Sequence, residues 1–163
     1  MKSKSNVKGM FRVQLTEDGR LVGDSGWKNN QITNDGFNSY LVNQLGTSLT
    51  GSKISHVALG TGGAPASNAT TLTGEVVTNG SGSVVRAAVT AATSSSSKTL
   101  RNTATFSSAN SFITASANIS NIGLFGVSGP TTASGTLFAG NTYTSSALAT
   151  NQNVNITYDI IFS

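Results

Sequence analysis

The sequence predicts an all-β fold, a two-sheet β-sandwich or jelly-roll-like arrangement carrying one short amphipathic helix at about residues 34–45. Three observations lead there. Short apolar runs recur at near-regular spacing and are bounded by Gly, Pro, Asn and Ser clusters, which is the pattern of strands and turns. Two of these runs, Ile54–Leu59 and Ile119–Val127, each stop at a Gly/Pro corner and read as the two central, buried strands. The last stretch, Asn151–Phe162, alternates Val154, Ile156, Tyr158 and Ile160 with Asn155, Thr157 and Asp159, a half-buried strand that pins this end of the chain into a sheet.

In chain order, residues 1–8 form a basic arm and residues 9–163 a single domain. Gly9–Leu15 places Phe11, Val13 and Leu15 on one face, and Glu17-Asp18-Gly19 turns it back into Arg20-Leu21-Val22. Trp27–Ile32 is a further extended piece. Phe37, Tyr40, Leu41, Gln44 and Leu45 fall at helical spacing, with Thr33 or Asn34 able to cap and Gly46 able to end the helix. Strands are then expected at Ile54–Leu59, Leu72–Thr78, Ser83–Ala92, Thr99–Phe106, Phe112–Ala117, Ile119–Val127, Gly135–Tyr143 and Asn151–Phe162. The Asn79-Gly80 step marks a hairpin, and Thr93–Ser97 is expected as a polar loop.

At 163 residues the chain is long enough to bury roughly 70% of its unfolded surface as one domain. The absence of Cys excludes disulfides, thiolate metal sites and a Cys nucleophile. Only 10% of residues are charged, and the net charge of +4 comes from the start of the chain. Lys2, Lys4, Lys8 and Arg12 precede the first acid, Glu17, and the other six basic residues balance the six acids. Such an arm could touch nucleic acid or an acidic protein surface, with a solvated terminus as the preferred plain reading, and the lack of a basic stripe with interleaved aromatics argues against sequence-specific nucleic-acid binding. The start MKSKSNVKGM lacks the apolar core of a signal peptide, and no run is long enough for a membrane helix, so a cytosolic product is expected.

Credible catalytic chemistry is hard to assemble. His56 is the sole histidine, it sits in a strand, and no G-x-S-x-G pattern accompanies it. The acids are scattered, so no metal site is expected. Gly60-Thr61-Gly62-Gly63 fails as a phosphate loop because Pro65 occupies the third glycine's place and no helix follows. These glycines are expected to serve positive φ values in a sharp corner. Neither an enzyme nor a cofactor is expected. Trp27 and Tyr143 lie beside polar stretches and are candidates to anchor a protein or sugar surface.

Four pieces, in this order, resemble small structural proteins of tailed bacteriophages, found as head decoration proteins and as tail or fibre components. They are Lys28–Gly36, Ile54–Val76 (ISHVALGTGGAPASNATTLTGEV), Ile122-Gly123-Leu124-Phe125 with Ser134–Ala139, and the closing strand Val154–Phe162. The resemblance implies a β-rich virion module that catalyses nothing, made in the host cytoplasm. It would assemble as a homo-oligomer, with a trimer favoured, against the major capsid protein or other virion proteins, with no membrane involved. Capsid decoration or cement is the first expectation. A tail, collar or fibre-adaptor part is the second, and a host-glycan-binding β-sandwich is the rival from another class. The candidate assembly contacts are Lys2, Lys4, Lys8, Arg12, Trp27 and Tyr143. The chain departs from the pattern at Asn121, where an acid is expected, and at Gly140, where an Arg is expected. If those two positions normally pair, both partners have been lost together, which requires them to be neighbours in space.

Overall fold

The computed structural model describes residues 6–45, 53–76, 86–94, 98–110, 112, 116–126 and 135–163. The described strands are β1 (Val7–Glu17), β2 (Arg20–Asp24), β3 (Lys28–Ile32), β4 (His56–Gly60), β5 (Ala87–Ala88), β6 (Thr90–Ser94), β7 (Thr99–Phe106), β8 (Ala117–Gly126), β9 (Thr136–Leu148) and β10 (Asn153–Phe162). All the pairings are antiparallel, so the all-β expectation holds. The strands form one sheet in the order β5-β4-β8-β9-β3-β1-β10-β7-β6, with β2 also paired to β1, and the sheet is nearly closed into a barrel. Two halves face each other across the core, as two sandwich sheets would. They are continuous through β3, whose Lys28–Asn30 pairs with β1 and whose Gln31 and Ile32 pair with β9. At the other end of the sheet, β5 and β6 are separated by Val89 alone.

The alternating strands behave as their pattern dictates. The register of β1, β10 and β7 stacks inward side chains in rows: Leu15, Val154 and Phe106; Val13, Ile156 and Ala104; Phe11, Tyr158 and Asn102. All nine are buried. Phe11 stacks on Tyr158 at a centroid distance of 5.8 Å and meets Tyr143 of β9 edge-on at 6.2 Å, which links the two halves. The β1–β2 turn, Asp18-Gly19, has positive φ at both residues (48° and 77°), the conformation that a two-residue hairpin requires. Because β1 starts at Val7, residues 7 and 8 belong to the domain. Val7 pairs with Phe162 and Lys8 with Ile161, so the expected arm of residues 1–8 is shorter by at least two residues.

The central strands β4 and β8 pair with each other, Val57 opposite Leu124 and Leu59 opposite Ile122. They read as continuous apolar runs because both of their faces are covered. Val57, Leu59, Ile122 and Leu124 join the main core, whereas Ala58 packs in a second, smaller cluster with Leu72, Phe125 and Leu137. That outer cluster is roofed by the connection after β4. The connection is stitched down by Asn34 N–H to the Ser67 carbonyl (2.7 Å), Leu137 N–H to the Thr70 carbonyl (2.9 Å) and Val76 N–H to the Leu59 carbonyl (2.9 Å).

Several boundaries differ from expectation for identifiable reasons. The strand expected at Leu72–Thr78 is, over its described part, a turn. Gly74 takes φ +66°, Glu75 N–H bonds back to the Leu72 carbonyl, and only an isolated Gly60–Glu75 bridge remains. The expected corner glycines Gly60, Gly62 and Gly63 do not adopt positive φ. Gly60 and Gly62 are required by close approach instead, since a Cβ would lie 2.4 Å from Asn121 Oδ1 and 2.3 Å from the Thr73 carbonyl, respectively. The Thr93–Ser97 loop is partly strand, because β6 runs to Ser94. Residue 89 splits the described part of the expected Ser83–Ala92 strand, and the Asn79-Gly80 hairpin lies outside the described residues.

The helical segment is present but not as a regular α-helix. Gly36–Leu41 is wound with i→i+5 bonding, Val42 N–H reaching the Phe37 carbonyl, and Val42–Leu45 tightens into a 3₁₀ turn. Thr33 caps it: its Oγ1 accepts from Gly36 N–H at 3.0 Å while its own hydroxyl donates to the Leu137 carbonyl at 2.5 Å. The wide turn moves the apolar residues out of helical phase. Tyr40 is buried and Leu41 packs on the core, but Phe37, expected on the same face, is exposed. Tyr40 anchors the segment by donating to the Thr136 carbonyl and accepting from Gly126 N–H (2.7 Å).

Candidate functional site

The outward residues of β1, β10 and β7 form a broad polar face. Its rows are Lys8, Ile161 and Thr99; Met10, Asp159 and Arg101; Arg12, Thr157 and Thr103; and Gln14, Asn155 and Thr105. Strand register alone puts Lys8 and Arg12 on it. Trp27, just before β3, stands at this face with 41% of its surface exposed. The Arg101 guanidinium carbon lies 5.9 Å from the centroid of the Trp27 ring. The same guanidinium grips Asp159 with two parallel bonds, Nε to Oδ1 at 2.8 Å and Nη2 to Oδ2 at 2.7 Å. Its planar group is thus fixed by a carboxylate on one side and faces an aromatic ring on the other, while the side chain stays half exposed.

Arg12 is similarly tied. Its Nε lies 3.0 Å from Asp24 Oδ1, and Nη2 donates to Oδ2. These bonds hold the Asp24 carboxyl at about 2, below the ordinary carboxylate range. Gly26 N–H (2.9 Å) adds a further donor. Arg12 is therefore a braced element of the face and not a free arm charge.

Of the sequence-predicted contacts, Lys8, Arg12 and Trp27 come together on this face, while Lys2 and Lys4 lie outside the described residues. Tyr143 does not belong with them. Its ring packs inward against Phe11, and burial pushes its hydroxyl well above the usual range. It lines a cleft of about 300 Å³ with Val13, Leu15, Gly23, Asp24, Ser25 and Thr144 instead. Trp27 and Tyr143 thus do not make a shared aromatic platform. Arg101 and Asp159 were missed by sequence reading. Each sits on the outward phase of its strand, but nothing in the chain order says that β10 lies between β1 and β7.

Asn121 and Gly140 lie on adjacent strands: Asn121 is opposite Thr142 and Gly123 opposite Gly140, which makes the two positions diagonal neighbours on one face of the sheet. The spatial requirement for a lost pair is met. Asn121 is fully buried and donates through Nδ2 to the Gly63 (3.0 Å) and Thr73 (2.8 Å) carbonyls, so it clamps the roof loop. A Cβ at Gly140 would meet the Ile122 carbonyl at 2.7 Å and Pro65 Cγ at 2.9 Å. The loop occupies the room that a side chain at 140 would need.

Beneath the roof, Arg86 (1% exposed) binds Glu75 through Nε–Oε1 at 2.5 Å and Nη2–Oε2 at 2.8 Å and lies 3.8 Å over the Phe125 ring centroid. His56, opposite Phe125 in the β4–β8 ladder, is buried with Nδ1 2.9 Å from Ser55 Oγ. Burial, and then the Arg86 charge, pull its pKa below the ordinary value of 6.5. The unfolded chain therefore takes up a proton near pH 6.5 that the folded chain refuses. Stability is full above that pH and falls as the solution is acidified toward pH 5. His56→Gln is expected to flatten this limb in urea midpoints measured at pH 8, 6.5 and 5. The Asp24 contribution is lost only at lower pH, between about 4 and 2.

Among the described residues no group of three or more His, Asp or Glu is placed to hold a metal ion, and no helix is long and apolar enough to cross a membrane. No family model, curated protein or solved structure matches the chain.

Proposed function

We propose that the chain is a bacteriophage virion structural protein, a capsid decoration or cement protein that binds across neighbouring capsid subunits and stabilises the shell against internal DNA pressure. The observation that carries this reading furthest is the Trp27–Arg101–Asp159 group on the polar face of β1, β10 and β7. Trp and Arg are the residue types that dominate binding energy at protein interfaces, above all where the Arg is already held in one geometry. Lys8 and the preceding basic residues add electrostatic steering toward an acidic partner. The resemblance motifs support the same reading: three of the four segments adjoin through the β3–β9, β9–β8 and β8–β4 ladders, and the closing strand lies apart, between β1 and β7.

Trp27→Ala is expected to weaken attachment to particles by about thirtyfold or more, read by co-sedimentation of added protein, with the urea midpoint little changed. Removal of residues 1–5 is expected to lower the association rate and its salt dependence and leave the fold intact, because β1 begins at Val7. Attachment that is indifferent to Trp27→Ala overturns the role of this face.

The deciding measurement for the function itself is copy number per particle, by quantitative mass spectrometry against the major capsid protein. A count commensurate with the shell, on the order of hundreds by the symmetry of such lattices, supports decoration. A count of a few to a few dozen moves the protein to the tail or collar. Absence from particles overturns the virion reading.

A further inference from the structure

At the end of the barrel closed by the helical segment, a cavity of about 260 Å³ runs into the interior. Leu41, Ile54, Leu100, Phe138 and Ile160 line it, so its walls are apolar. Lys53 and Tyr40 stand in the lining as well, and Asn102 is its buried amide. The register sets the depth: Leu100 pairs with Ile160, and Asn102 pairs with Tyr158 one inward row further along, in the row of Phe11. Asn102 is 1% exposed, and among the described residues neither its Oδ1 nor its Nδ2 has a hydrogen-bond partner. A buried amide with both ends unmet is costly and uncommon in folded proteins. Asn121, also fully buried, is met at one end, its Nδ2 held by two carbonyls while its Oδ1 has no partner among the described residues.

We propose that this cavity is a binding site for an uncharged, mostly apolar small molecule that presents an adjacent hydrogen-bond donor and acceptor, an edge of the primary carboxamide type, to Asn102. Three features select that chemistry. An apolar cavity of about 150 Å³ holds benzene, so this one takes about ten non-hydrogen atoms at the same density, the size of benzamide. The Asn102 amide offers one acceptor beside one donor, and a second amide satisfies both reciprocally. An ionised head group would be drawn to Lys53, the exposed cation in the lining, and would leave Asn102 unmet. An uncharged edge reaches it without the cost of burying a charge. The site does not depend on the assembly role.

The test is an NMR titration of the full-length protein with benzamide and, separately, with toluene, which has the apolar body without the edge. Benzamide is expected to shift the Asn102 side-chain NH₂ signals and the methyl groups of Leu41, Leu100 and Ile160 saturably, and to bind about tenfold tighter than toluene. Asn102→Leu is expected to erase that tenfold preference without weakening toluene. Leu100→Trp, which keeps the amide and fills the cavity, is expected to abolish both. It also serves as the control should Asn102→Leu repack the interior. No saturable shift, equal affinity for the two probes in the native chain, or a water held on Asn102 that benzamide fails to displace would each overturn the proposal.

Discussion

Glu75→Ala is expected to destabilise the fold by about 3–5 kcal/mol, the loss seen when one partner of a buried ion pair is removed. The substitution leaves the Arg86 guanidinium 1% exposed, over the Phe125 ring, without the carboxylate that meets its Nε and Nη2. Glu75 is itself 6% exposed at its side chain, so solvent cannot substitute for it. The cost arises from keeping a charge buried after its carboxylate is gone and not from the strength of the pair. The double variant Glu75→Leu/Arg86→Met, which replaces both with apolar groups, is therefore expected to recover most of the loss. Urea midpoints of the native chain, Glu75→Ala and the double variant decide the matter. A single variant within 1 kcal/mol of the native protein would show that the pair is solvated in solution.

Phe11→Ala is expected to cost a similar amount, about 3–5 kcal/mol, for a different reason. Phe11 is fully buried, stacks on Tyr158 within its own half and meets Tyr143 of the facing half. Its removal opens a cavity between the halves that backbone relaxation cannot close, because β1 is held on both sides by β10 and β3. The expected signature is a lowered urea midpoint, with Phe11→Leu losing much less. If Phe11→Ala and Phe11→Leu proved equally costly, ring geometry rather than volume would be the determinant.

What the sequence made legible follows from burial pattern. β1, β7 and β10 each have one face in the core, so their alternation could be read directly, and β4 and β8, covered on both sides, announced themselves as apolar runs. β3 is a different case. KNNQI lacks apolar alternation, yet the extended piece expected at Trp27–Ile32 is present as β3, held by partners on both edges. The strand expected at Leu72–Thr78 has the right apolar content, but in its described part Gly74 turns the chain. The site divides in the same manner. Trp27 stood out by type, and the outward phase of β1 gave Lys8 and Arg12. Arg101, Asp159 and the Arg86–Glu75 pair depend on which strands and loops become neighbours, and that is long-range information with no local trace. Tyr143 shares its polar neighbourhood with Trp27 in the sequence but not its exposure, because β9 turns its ring toward Phe11 and leaves it half-buried.

The placement of β10 between β1 and β7 has a kinetic consequence. Phe11, Val13 and Leu15 precede their ladder partners Tyr158, Ile156 and Val154 by most of the 163 residues. At about 5–20 residues per second the ribosome needs on the order of ten seconds to supply them. During that interval β1 can pair with β2 and β3 on one edge, and its other edge stays open. This half cannot close until β10 has been made, and its long-range pairing is slow by contact order. A nascent chain arrested before residue 153 presents an unpaired apolar strand to every neighbouring copy.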